Sequence, residues 1–401
     1  MAETELQDFR SETQAWLAEN CPDSVLGTGM LAGFAGGRKA PAPSTDFMKW
    51  FDTMYERGWT VPHWPKEYGG GGLDASHNLA LRQEMAQARA PAPLGGMGVT
   101  MIGPTLLEHG TEEQRQRHLP KITSGELRWC QGYSEPGAGS DLAGLQTKAQ
   151  DKGDHYLVNG SKIWTSGAQY ADWIFCLVRT NPQAPKHEGI SFLLFSMDSV
   201  GVSVNPIVLI SGQSPFCQCF FDDVKVPKED LVGDLDRGWT IAKRLLQHER
   251  ASISGFSSGA GARATRGGTG SIEALAKQYL GDGDGQIGDN AIRTDVANIN
   301  MDARAFQLTQ RRAHEENREG GTPTFATSMF KLYSSELGKR RAETTVSILG
   351  HHGIGWEGES FSDQEISATR GWLRGKAGTI AGGTSEVQLN IIAKRVLGLP
   401  D

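Results

Sequence analysis

From Glu5 to about Glu126 apolar residues recur at helical spacing: Leu6, Phe9 and Leu17, then Phe47, Trp50, Phe51 and Met54, then Leu79 to Ala88 and Thr111 to Leu119. Gly/Pro clusters at 62–72 (PHWPKEYGGGG) and 88–98 (ARAPAPLGGMG) break the pattern. Between Arg128 and Val232 the period becomes strand-like. The runs are Tyr156 to Val158, Trp173 to Val178, Ile190 to Phe195, Val202 to Val208 and Cys217 to Val224, separated by DKGD, NGSK and PKHEG turns. Helical patterns return from Asp236: Trp239 to Gly255, Ile292 to Glu316, Thr324 to Leu349 and Thr384 to Leu397. This predicts an all-α domain over 1–126, a compact β domain over 127–235 and a helical bundle over 236–401. A doubly wound nucleotide fold would alternate strands and helices instead.

One position departs from its pattern. If 236–256 is helical, Ala242, Leu245, Leu246, Ile253 and Phe256 form an apolar stripe, and Glu249 falls inside it. Burial without a partner raises a carboxyl pKa toward neutrality, which suits a general base that takes a weakly acidic carbon-bound proton. A buried glutamate satisfied by a neighbouring cation or hydroxyl gives the same pattern.

The 401 residues exceed a single hydrophobic core, and the net charge of -7, with basic residues scattered, argues against a nucleic-acid partner. The acidic, amphipathic start and the lack of a run of about 18 apolar residues predict a soluble cytoplasmic protein. Cys21, Cys130, Cys176, Cys217 and Cys219 lack zinc-site spacing and read as reduced, half-buried packing residues, with no metal expected. GAGSDLAG (137–144) lacks the dinucleotide glycine spacing and its βαβ frame, and LGDGDGQIGDN (280–290) misses the EF-hand ligand order and reads as a surface turn.

CQGYSEPGAGSDLAG (130–144) followed by GDHYLVNGSKIWTSGAQYADWIFCLVRT (153–180) resembles the acyl-CoA dehydrogenase family's flavin loop and the strand after it, with Tyr133 in place of the usual small aliphatic residue. GGTSEVQLNIIAKRVLGLP (382–400) and PKEYGGGGL (65–73) extend the resemblance over nearly the whole chain. It implies a helical domain, a β-barrel-like middle domain and a C-terminal four-helix bundle, with FAD held between the last two. By the same resemblance Gln131, Tyr133 and Ser134 line the flavin loop, with Ser134 at the reactive edge. Gly139 and Ser140 lie near the pyrophosphate or CoA, and Trp164, Thr165 and Ser166 cover the other side of the ring. Taken alone, Trp164 reads as a barrel-core aromatic. Thr384, Ser385 and Glu386 resemble the family's C-terminal cofactor-contacting turn, and Thr384 or Ser385 also reads as a helix N-cap.

Two departures bear on function. Where many members carry the catalytic glutamate, this chain has Gly382. Some branches place the base on the first long C-terminal helix just before an Arg, which here gives Glu249 and Arg250. Gly382 would then offer its backbone N–H to the thioester carbonyl. Arg250 reads equally as a CoA contact or a solvated helix charge. The family's Arg-x-x-Phe-Gly element, which reaches a neighbouring subunit's FAD, is replaced by DGDGQIGDN (282–290), and a lost charge-assisted bond of this kind is worth roughly 1.5–3 kcal/mol. SILGHHGIG (347–355) resembles the neighbour-contacting loop, with His351 and His352 read as exposed loop residues.

The resemblance implies an FAD-dependent acyl-CoA dehydrogenase that forms a trans-2-enoyl-CoA, with an electron-transfer flavoprotein as acceptor. It also implies a homo-tetramer, or a hetero-tetramer with a related chain. Two other readings stay open from the residues: a non-catalytic or half-site subunit of a hetero-oligomer, and a flavin monooxygenase or oxidase on the same fold.

Overall fold

The computed structural model describes residues 2–28, 34–253, 271–318 and 326–400, without the side chains of 2–3, 247–253, 314–318 and 326–327. Two compact units emerge: Met1–Ile207 with Pro215–Leu245, and Val208–Ser214 with Leu246–Asp401.

In the first unit α1 (Ala2–Asn20), α2 (Thr45–Glu56) and α3 (Ala75–Ala88) pack through Leu17, Trp50, Phe51, Met54, Trp59 and Leu81. Ser44 caps α2 by accepting from Phe47 N at 3.3 Å, and the next turns bury the predicted stripe at Phe47, Trp50, Phe51 and Met54. Two further helices follow the Gly/Pro break. A π-helical turn at Gly98–Ile102 leads into α4 (Gly103–His109), which the sequence reading did not resolve, and Thr111 caps α5 (Glu112–Thr123) with a capping box to Gln114.

The β part is one eight-stranded sheet: β1 (Trp129–Gly132), β2 (Lys148–Asp151), β3 (His155–Ser166), β4 (Trp173–Arg179), β5 (Ile190–Ser196), β6 (Val202–Ile207), β7 (Phe216–Pro227) and β8 (Leu231–Val232). Its order is β6-β7-β3-β2-β4-β5-β8. Antiparallel β3 and β7 are its longest members, at 12 residues each. β1 and β2 both pair with β4: β1 in parallel from Trp129↔Trp173 to Gly132↔Cys176, and β2 only at Lys148↔Arg179. β4 and β5 are almost continuously buried, which is why they appear in the sequence as unbroken apolar runs.

Three polar or aromatic clamps hold helices and sheet together. Buried Asp172 accepts from Arg38 Nε at 3.0 Å and from Arg128 N at 2.9 Å. Gln114 Nε2 donates to the carbonyls of Glu229 and Leu231 at 2.8 Å each. His118 on α5 packs edge-on to Trp129 and Trp173, with ring centroids at 5.1 and 4.7 Å.

All five cysteines are buried free thiols, more enclosed than the half-buried positions expected, and four of them (Cys130, Cys176, Cys217 and Cys219) are fully buried in the sheet's core.

α6 (Gly238–Ile253) begins in the first unit and ends in the second. Further along, the second unit contains α7 (Ile272–Leu280), a hairpin of β9 (Asp282–Gly283) and β10 (Gln286–Ile287), α8 (Asn290–Arg318), α9 (Ala326–Leu349), α10 (Asp363–Gly375) and α11 (Ser385–Ile391). Val296, Ile299, Leu337 and Ile348 share its core with Ile272 and Leu275 of α7. The segment expected to be a surface turn is this hairpin, and its two-residue loop Asp284-Gly285 has φ of +54° and +79°, as a type I′ turn requires. α7 and α10 are additions to the sequence reading. No described helix is long and apolar enough to cross a membrane.

Burial pushes the His118 pKa down to about 3, and neither ring nitrogen has a hydrogen-bond partner among the described residues. Its ordinary value is 6.5. Below that pH the unfolded chain takes up a proton that the folded chain refuses until about pH 3, so stability falls with acidification by about 1.4 kcal/mol per pH unit from this residue. His118→Leu should therefore flatten the loss of unfolding free energy in urea between pH 6.5 and 4.5. An unchanged slope would show that His118 is not buried in its neutral form.

Candidate active site

The loop after β1 is sewn to β3. Ile163 N donates to the Ser134 carbonyl at 2.8 Å, and the Lys162 ammonium donates to the Tyr133 carbonyl at 3.0 Å and to Glu135 Oε1 at 2.8 Å. Lys162 is fully buried, and its charge, with the hydrogen bonds Glu135 receives, outweighs burial and lowers the Glu135 pKa. The Glu135 carboxylate also closes its own loop, accepting from Gln146 N at 2.6 Å and Thr147 N at 2.9 Å. Between these fixed ends Pro136, Gly137, Gly139, Ser140 and Asp141 are exposed, while Ser134 is half-buried. Among the described residues, no atom beyond the adjacent chain neighbours lies within 4 Å of where a Cβ on Gly137 or Gly139 would be.

β3 then breaks register with β7 between Lys162 and Thr165. Trp164 is the residue at the bulge, with φ +61° and 53% exposure. A bulky residue in the left-handed region is strained, and such strain persists only where its surroundings over-determine it. The barrel-core reading of Trp164 is thereby corrected. Alternation along β3 turns Tyr156, Val158 and Lys162 inward, and the extra residue turns Trp164 out and Thr165 in. Among the other loop positions, Tyr133 is 4% exposed, with its ring edge-on to Phe175 and Phe192 in the core. Gln131 and Ser166 are half-buried, and the Thr165 side chain is fully buried. A ligand over this surface would therefore meet Tyr133 and Thr165 through their backbone. It would meet Trp164 and Ser134 through their side chains.

In the second unit the turn at 382–386 is held from below. Gly382 and Gly383 have φ of +67° and +93°. Their carbonyls accept from Gln388 Nε2 at 3.0 Å and from the buried Lys331 ammonium at 2.5 Å respectively. Thr384 Oγ1 caps α11 by accepting from Val387 N at 3.2 Å, and Ser385 Oγ donates to Glu336 Oε1 at 2.7 Å. Glu386 is exposed in the first turn, and hydrogen bonds from its own N–H and from Thr384 lower its pKa. α6 is helical through position 249, one turn beyond buried Leu245, but the side chains of Glu249 and Arg250 lie outside the described residues. His351 is exposed, as expected. His352 is not a free loop residue: it lies 2.9 Å from Glu365 Oε1, which also accepts from the Tyr279 hydroxyl at 2.7 Å.

The sequence reading quoted Lys162 and Glu135 within its motifs without assigning them a role, and it did not single out Lys331 within the helical run 324–349. Lys162 could have been found from its phase, as a lysine at an inward position of an alternating strand.

The described surface offers room and an aromatic face for a planar ligand. An exposed indole stands at a strained bulge, and beside it a glycine loop has open space at two positions and a hydroxyl at its base. Comparison with known proteins agrees. Models described as acyl-CoA dehydrogenase N-terminal, middle and C-terminal domains match residues 36–126, 130–224 and 236–397. Acyl-CoA dehydrogenase IpdE1 of Mycolicibacterium smegmatis is 35% identical over 99% of this chain and 98% of its own. Among solved structures, the Tcur3481-Tcur3483 steroid ACAD has a TM-score of 0.75 at 30% identity, covering 99% of this chain and 98% of that one. The ChsE4-ChsE5 complex from Mycobacterium tuberculosis has a TM-score of 0.72 at 29% identity, covering 99% and 98%. With three consecutive domain models matched and a relative aligned end to end, this chain belongs to the acyl-CoA dehydrogenase family, FAD flavoproteins that are oxidoreductases acting on CH–CH bonds.

Proposed function

We propose that this chain takes an acyl-CoA thioester to its trans-2-enoyl-CoA, with Glu249 removing the α-proton. The observation that carries this reading is the backbone at Gly382. A glutamate at that position, where many members carry their base, would have to hold φ +67°, a conformation that L side chains rarely adopt. The base then falls to α6, where position 249 follows buried Ala242 and Leu245 along one helical face. The Gly382 N–H is the proposed donor to the thioester carbonyl, where negative charge develops as the proton leaves. Ser140 and Arg250 are the proposed CoA contacts. Gln131, Tyr133, Ser134, Gly139, Ser140, Trp164, Thr165, Ser166, Thr384 and Glu386 are the proposed cofactor contacts. Bound FAD supplies the acceptor for the β-hydride, and an electron-transfer flavoprotein is the proposed next electron acceptor.

The substrate we infer is a bulky, medium-to-long acyl group. A relative of matching length is described as a steroid ACAD, and a base on the helix leaves the acyl pocket shaped differently from one on the C-terminal turn.

A hetero-oligomer is the form we favour. Where the family carries a cation that reaches a neighbour's FAD, the β9–β10 hairpin has Asp282, Gly283, Asp284, Gly285, Gln286 and Ile287. Two structural relatives are described by paired chain names, one of them explicitly as a complex. A related chain would supply the missing cation.

Two experiments test these readings. Glu249→Gln should keep FAD and acyl-CoA binding while slowing reductive bleaching of the flavin by substrate about 100-fold or more. Near-normal bleaching would remove Glu249 from the base role. The chain purified alone should carry well under one FAD per chain, rising toward one when a related partner chain is co-expressed. A full complement in the lone chain would mean that the homo-oligomer builds complete sites.

A further inference from the structure

We propose that Lys162 and Glu135 form a positioning device that presets the cofactor loop before FAD arrives. This rests on the FAD reading above. The pair sits under the loop, where the Lys162 ammonium is fully buried and reaches both the Tyr133 carbonyl at 3.0 Å and Glu135 Oε1 at 2.8 Å. The Glu135 carboxylate uses both oxygens to gather the far end of the loop, through Gln146 N at 2.6 Å and Thr147 N at 2.9 Å. Three segments therefore meet at one ion pair: the end of β1, the start of β2 and the bulging half of β3.

The choice of charged groups needs a reason. Desolvating two charges largely cancels their attraction, so a buried ion pair contributes little net stability compared with apolar residues of similar size. What it contributes here is direction. One ammonium and one carboxylate engage three main-chain groups at once, besides each other. Apolar side chains in the same volume would leave Tyr133 O, Gln146 N and Thr147 N without those partners. The exposed stretch Pro136–Asp141 hangs between the two ends so fixed, and Trp164 stands two residues beyond Lys162. Holding the loop base relative to the bulge sets the gap into which a flat ring fits. Binding then avoids the ordering cost of a loose loop.

The test uses the flavin-stripped full chain, with the partner chain present if the wild type needs one to bind FAD. Lys162→Met alone strands a buried carboxylate and should lower the melting temperature. Adding Glu135→Gln should recover most of that loss while FAD affinity, read by quenching of flavin fluorescence, stays weaker than wild type by roughly 10- to 100-fold. A folded double variant with wild-type affinity would overturn the proposal. Hydrogen exchange on the wild type decides the case even where the variants do not fold. The amides of Gln146, Thr147 and Ile163 should be protected before FAD is added and change little on binding. Exchange at free-loop rates without FAD would overturn presetting. Failure of the wild type to bind FAD would instead count against the cofactor reading itself.

Discussion

One inserted residue in β3 governs what the β part offers to a ligand. A strand with unbroken alternation would send Trp164 into the core alongside Val158 and Lys162. The bulge reverses the sequence of faces after Lys162, so that the largest aromatic side chain of the segment stands outside and a threonine fills the space within. The cost is a tryptophan at φ +61°, held between the long β3–β7 pairing that ends at Lys162↔Cys219 and the two pairs that resume it at Thr165↔Cys217 and Ser166↔Phe216.

The helices of the first unit are fixed to that sheet by side chains that span long stretches of sequence. Asp172 gathers backbone and guanidinium groups from Arg38 and Arg128, Gln114 reaches over to the chain around β8, and His118 wedges between two tryptophans. Arg244, near the middle of α6, pairs bidentately with Glu108 of α4, at 2.8 and 2.9 Å. The helix that carries position 249 is thus anchored five residues before it.

Much of this was legible in the chain. The stripe at Phe47, Trp50, Phe51 and Met54 and the apolar runs of β4 and β5 mark their elements, because burial on one helical face or on both sheet faces leaves a period that can be counted. The four-residue strands β1 and β2 are too short to show one. α10 was missed although Ser362 and Glu365 form a capping box at its start, a signal that hydrophobic periodicity does not register. Trp164, taken alone as an aromatic, read as a core residue because a bulge changes phase without changing composition. The family motif recovered its direction, since a motif records the outcome of that geometry. Lys162 and Lys331 illustrate another limit. Read singly, a lysine looks like a surface residue, and only the fold shows that each is enclosed with a main-chain carbonyl to hold.

The enclosure of the cysteines has a practical side. Burial drives the Cys176 and Cys219 thiols up to about 12 and Cys21 up to about 11, and it raises Cys130 well above the ordinary thiol value and Cys217 as well. Thiolate is the reactive form, so burial and the raised pKa together lower the reactivity of all five at neutral pH. The natural chain therefore offers a low background for thiol labelling. A single cysteine introduced on the exposed β9–β10 hairpin would take a probe ahead of the buried native thiols, and it could report on a neighbouring chain with no native cysteine first removed.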